Sequence, residues 1–113
     1  MVKKIKGTVI IYLRSNCKLC EIIKANKDKI RELYRNYFEN LIIKNAEDNQ
    51  EFISYGFQYV PTLILPGYRP FEAIDPKILM SEDYLIQMIN GDILPDDVVH
   101  IKELERRQSY MMG

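Results

Sequence analysis

Cys17 and Cys20 are the only cysteines in the chain, and they stand three apart where an apolar, β-branched run gives way to a helical rhythm. Ahead of them, Thr8-Val9-Ile10-Ile11-Tyr12-Leu13 reads as a buried strand, because branched and aromatic side chains fit a pleated, packed surface. Behind them, apolar side chains recur at Ile22/Ile23, Ile30, Leu33/Tyr34 and Tyr37, with Asn26 a gap and lysines and arginines between. That period predicts one amphipathic helix from about Cys17 to Tyr37. Both sulfurs then belong to the first turn of a helix fed directly by a buried strand. A cysteine there faces unpaired backbone N–H groups and the positive end of the helix dipole, which favour thiolate over thiol. Two cysteines at this spacing can close a disulfide and reopen it, so the chemistry implied is thiol–disulfide exchange.

The remaining pattern extends the same α/β plan. Leu41-Ile42-Ile43 reads as a second buried strand, and a strand, helix and strand of this size make a right-handed βαβ unit with parallel strands. Asn45 is a candidate cap for a short helix carrying Phe52, Ile53 and Phe57, with Gly56 as its terminator. Val60-Pro61-Thr62-Leu63-Ile64-Leu65 reads as a strand introduced by proline, Pro66-Gly67 as a turn, and Phe71-Glu72-Ala73-Ile74 as a returning antiparallel strand. Ser81 or Asp83 caps a helix bearing Leu85, Ile86, Met88 and Ile89 that ends near Asn90-Gly91. A last helical pattern runs from Pro95 to about Gln108. The expected order is β-α-β-α-β-β-α plus a C-terminal helix.

Length allows one domain with a real core and not two: 113 residues form a single domain, its core at about 4–91 and a helical extension at about 92–113. Sixteen basic and sixteen acidic residues balance, which removes the overall electrostatic footprint expected of a nucleic-acid or anionic-membrane binder. No apolar run approaches the roughly 18 residues of a membrane span. The basic start, Met1-Val2-Lys3-Lys4-Ile5-Lys6, leads into an apolar stretch that Arg14 cuts short, and no small-residue cleavage site follows. The expectation is a cytoplasmic protein whose cysteine pair is catalytic rather than a structural staple. Two thiolates alone do not complete a metal site, so none is expected.

Residues 9–20, from Val9 through Arg14-Ser15-Asn16 to Cys17-Lys18-Leu19-Cys20, resemble the first strand and active site of glutaredoxins. Tyr55-Gly56-Phe57-Gln58-Tyr59-Val60-Pro61-Thr62-Leu63-Ile64 looks like the stretch leading into the cis-proline of thioredoxins and glutaredoxins. The resemblance covers about Lys4 to Gly91 and implies a thioredoxin fold with a mixed four-stranded sheet. It implies Cys17 as exposed nucleophile, Cys20 as buried resolving thiol, and a cis bond before Pro61. Val60, Pro61 and Thr62 would form the substrate-binding loop, where the main chain of Val60 pairs with an extended substrate. Arg14 stands where glutaredoxins typically carry a lysine. It is either a charge that stabilises the thiolate and draws an anionic substrate, with Lys18 adding to the field, or a solvated charge at a strand end.

The departures narrow the resemblance. Asn16 replaces the tryptophan of thioredoxins, Lys18-Leu19 replaces both Gly-Pro and Pro-Tyr, and Ile11 stands where thioredoxins bury an aspartate. No Gly-Gly is present to grip glutathione in the manner of glutaredoxins. The expected partners are protein disulfides, with glutathione or a thioredoxin reductase as electron source, no bound cofactor, no nucleic acid, no membrane, and a monomer or weak dimer. The competing reading is a binding or adaptor module of the same fold that docks a partner through its cleft or its C-terminal helix. On that view Leu94, Val98, Ile101, Leu104 and Met111/Met112 form a dimer or partner face, whereas packing onto the sheet is their simpler use.

Overall fold

The strand–helix junction organises the whole molecule. The computed structural model describes residues 4–47, 49–67 and 70–92. Strand β1 (Ile5–Leu13) leads into helices α1 (Lys18–Ala25) and α2 (Lys27–Arg35), then strand β2 (Phe38–Asn45). Helix α3 (Gln50–Ser54), strand β3 (Thr62–Ile64), and helices α4 (Pro76–Leu79) and α5 (Glu82–Asn90) follow. Among the described residues this is a mixed α/β fold with one three-stranded sheet of order β2-β1-β3.

β1 is central. It runs parallel to β2, from Thr8 opposite Asn40 to Leu13 opposite Asn45, and antiparallel to β3, with Ile10, Ile11 and Tyr12 opposite Ile64, Leu63 and Thr62. Pleating sends successive side chains to opposite faces. Val9, Ile11 and Leu13 join Cys20, Ile23, Ile30, Tyr34, Leu79, Leu85 and Met88 in the main core, so α1, α2, α4 and α5 cover that face. Tyr12 packs with Ala46 and Phe52 on the other face, beneath α3. Burial on both sides explains why β1 reads as a continuous apolar run rather than an alternating one. The β1–β2 register shifts between Ile5 and Thr8. Gly7 adopts φ +116° there, and a Cβ at this position would lie 2.8 Å from Cβ of Pro66. Only glycine fits both demands.

Several elements differ from the expectation. The helix expected over Cys17 to Tyr37 is two helices, because Asn26 turns its amide back onto the Ile22 carbonyl (2.8 Å) and leaves helical geometry (φ −118°, ψ 18°). Asparagine competes with its own backbone in this way. Asn45 does not cap α3: its Oδ1 accepts from the Glu47 N–H, and Asn49 caps the helix by accepting from the Phe52 N–H (2.9 Å). The expected four-stranded sheet has three strands among the described residues. Phe71 meets Leu63 through a reciprocal pair of backbone hydrogen bonds, but as an isolated bridge. Ala73, at φ 53°, takes the chain out of extended geometry before a fourth strand can form. α4 is too short to carry a readable period; Asp75 caps it, with Pro76 in its first turn. The stop of α5 matches expectation: Gly91 takes φ 77° and the Asp92 N–H returns to the Gln87 carbonyl. The C-terminal helix and the apolar positions Leu94, Val98, Ile101, Leu104, Met111 and Met112 lie outside the described residues. No helix among the described residues is long and apolar enough to cross a membrane.

Candidate functional site

Where β1 ends, the chain must turn from a strand into α1 within four residues, and each makes a distinct contribution. Arg14 is exposed, and its carbonyl accepts from Lys24 Nζ (3.4 Å). Ser15 donates through both its N–H (2.7 Å) and its hydroxyl to Oε1 of Glu47, just beyond β2. Asn16 takes the left-handed conformation (φ 55°), which asparagine tolerates better than most residues. Cys17 is then extended (φ −128°, ψ 112°) and is the N-cap of α1.

The cap is a sulfur. Cys17 Sγ accepts from the Cys20 N–H at 3.2 Å, and the Cys17 carbonyl accepts from the Glu21 N–H at 3.0 Å. An N-cap acceptor satisfies one of the orphan donors of the first turn, and negative charge is favoured at that position. Cys17 is half-buried, whereas Cys20 is completely buried in the main core. The two are joined as a disulfide with their Cα atoms 5.1 Å apart. Lys18, the first residue of α1, is exposed beside them.

The opposite side of this sheet end belongs to residues 57–62. Thr62 pairs with Tyr12, so Pro61 and Val60 continue β3 toward the end where β1 runs out into residues 14–17. The Val60–Pro61 bond is cis. Val60 is half-buried and touches both apolar clusters. Pro61 is buried, and its carbonyl accepts from the Ile74 N–H (3.0 Å). Thr62 is fully buried and its hydroxyl donates to the Tyr59 carbonyl. The two cysteines, Arg14, Lys18, Val60, Pro61 and Thr62 thus share one end of the sheet. The Thr62 side chain is committed to holding the loop, which leaves main-chain groups as what this stretch can offer a ligand.

Two carboxylates that the sequence reading did not single out hold the two loops. Glu47 anchors Ser15 across the end of the parallel pair. The Ser15 hydroxyl and N–H, with the charges of Arg14 and Lys24, hold the Glu47 carboxyl below its ordinary value. Glu72 does the same for the other loop, accepting from the N–H groups of Gln58 (2.8 Å) and Tyr59 (3.4 Å). No local signal marks either glutamate, because each acts on a segment distant in the chain. Chemically, the arrangement offers one half-buried sulfur at the N-terminus of α1 and a second, shielded sulfur bonded to it. No family model matches the chain, and no curated protein does.

Proposed function

We propose that the protein is a thiol–disulfide oxidoreductase of the glutaredoxin/thioredoxin type, exchanging protein disulfides through Cys17 and Cys20. The observation that carries this reading is the asymmetry of the pair: Cys17 is half-buried with its sulfur on an N–H of the first turn of α1, and Cys20 is sealed in the core one turn further. In the reduced protein the Cys17 thiolate attacks a substrate disulfide, forms a mixed disulfide and expels one substrate thiolate. Cys20, losing its proton, attacks Cys17 Sγ and releases the second substrate thiolate. Two electrons pass to the substrate, and the pair is left as the intramolecular disulfide. An external thiol, glutathione or a dithiol reductase, recharges it by the same exchange in reverse, without a bound cofactor.

On this reading the sheet is a thioredoxin-type sheet whose fourth strand has shrunk to the bridge at Phe71. The loop through Val60 and Pro61 receives an extended substrate segment through its main chain. Arg14 and Lys18 add positive field beside Cys17. The reducing cytoplasm is the compartment in which such a pair cycles.

The test combines trapping of free thiols across dithiothreitol and glutathione buffers with turnover of a protein disulfide. The expected potential lies between about −270 and about −120 mV, the span of known enzymes of this chemistry. Cys17→Ser abolishes turnover and Cys20→Ser accumulates mixed disulfides. Failure to form an intramolecular disulfide at any poise would discard the reading in favour of the adaptor module, and full activity of Cys17→Ser would overturn Cys17 as the nucleophile.

A further inference from the structure

The chain as a whole is electrically balanced, with sixteen basic and sixteen acidic residues, yet its cations are unevenly placed. A groove of about 300 Å³ opens where α1 and α2 pass the end of β2. Arg14, Lys24, Lys27, Arg31 and Lys44 line it, and no Asp or Glu of the described residues does. These five come from four different segments: the loop after β1, α1, α2 and β2. Leu13 and Ile43 supply an apolar part of the wall. Like charges drawn together in a concave space with low-dielectric walls focus the field within it.

Some of this charge is already answered. Lys24 pairs with Glu21 (3.4 Å) and Lys44 with Glu51 (3.2 Å), and Glu47 feels the charge of Arg14. Lys27 and Arg31 have no ion pair among the described residues. They stand one helical turn apart on α2, and Arg35 continues the column by another turn. Cations at this spacing repel one another, while Arg35, in the last turn of α2, also complements the helix dipole. Past Arg31 the surface continues into a second hollow, where Glu39 supplies a carboxylate beside Arg35. The stretch lined only by cations therefore ends near Arg31.

We propose that this groove binds a small phosphate polyanion, a diphosphate or triphosphate group. The volume sits at the lower end of small-molecule clefts. The ion pairs of Lys24 and Lys44 are solvent-accessible and exchange at little cost, so the cations converging from separate elements match a ligand that carries several charged oxygens on one compact centre. The Arg31 guanidinium suits bidentate contact with phosphate oxygens, and the lysines act as point charges. The site does not depend on the redox chemistry of Cys17.

The experiment is a calorimetric and NMR titration of the full chain with inorganic pyrophosphate, with orthophosphate, ADP, an oligothymidylate and an acidic peptide as comparators. The expected result is saturable pyrophosphate binding, weakened by salt, with amide shifts grouped on residues 13–14, 24–31 and 43–45. Lys27→Gln and Arg31→Gln, both at exposed positions, each weaken it at least roughly tenfold and leave the melting temperature and disulfide exchange unchanged. Tighter binding of ADP than of pyrophosphate identifies a nucleotide as the source of the group; equal binding identifies the bare diphosphate. Absence of saturation at millimolar pyrophosphate overturns the proposal. So does binding indifferent to both substitutions, or preference for the oligonucleotide or the peptide. Should the variants fail to fold, the location of the amide shifts in the unaltered protein decides.

Discussion

Tyr34 shows how much one side chain can tie together. Its ring is fully buried in the main core, stacked near Phe38, and its hydroxyl donates to the Leu79 carbonyl (2.8 Å) at the end of α4. Burial pushes the phenol pKa up from its ordinary 10.0, so it stays neutral in the fold when the unfolded chain would ionise. A raised folded-state pKa gives stability that is complete below pH 10.0 and is lost as pH rises above it. Tyr34→Phe strands the Leu79 carbonyl and is expected to cost about 1–3 kcal/mol in urea unfolding at neutral pH. The same variant should melt with a flatter alkaline limb. Glu47 behaves in the opposite sense. Its pKa is lowered by the Ser15 hydrogen bonds, so its contribution is present above the ordinary 4.5 and is lost as pH falls through the lower folded value. The Ser15 amide resonance should titrate with a midpoint below 4.5, and Glu47→Gln should abolish that titration while keeping an acceptor for Ser15.

The helices are set by their ends more than by their interiors. α1 begins on the Cys17 sulfur, α3 on Asn49, α4 on Asp75 and α5 on Ser81, each accepting from an N–H of the first turn. For α3, with five residues, the cap is decisive, because so short a helix does not sustain its own nucleation. Asn49→Ala should therefore lower stability by about 0.5–2 kcal/mol in chemical denaturation. It should also loosen Phe52, which closes the second face of the sheet through an edge contact with Tyr12. The break between α1 and α2 has a similar local origin in the Asn26 amide, and it leaves Lys24 and Lys27 on separate helices that border the same groove. At the level of elements the two glutamate anchors are the counterpart of the caps. Glu47 and Glu72 fasten loops that have no ladder of their own.

At the scale of the molecule the sheet order decides what each apolar residue is worth. Ile11, on the central strand, is fully buried, and Ile42, on the edge strand β2, is 44% exposed, although both sit in short β-branched runs. Ile11→Ala should cost about 2–5 kcal/mol in chemical denaturation, while Ile42→Ala should stay within about 0.5 kcal/mol. Local pattern alone specifies β1, the existence of β2, the start of α1 at Cys17 and the end of α5 at Gly91. It also set the interruption at Pro61 before β3. These follow from periodicity, branched side chains, caps and glycine, which act over a few residues and are written locally. The remainder arises between segments. The register that makes β1 central and the confinement of Phe71 to a single bridge with Leu63 belong here. So do Glu47 reaching Ser15 across 32 positions and Glu72 reaching Gln58 across 14. The gathering of five cations around one groove is of the same kind. Each depends on which distant chain segments the packed core holds side by side, and no short stretch of sequence carries that information.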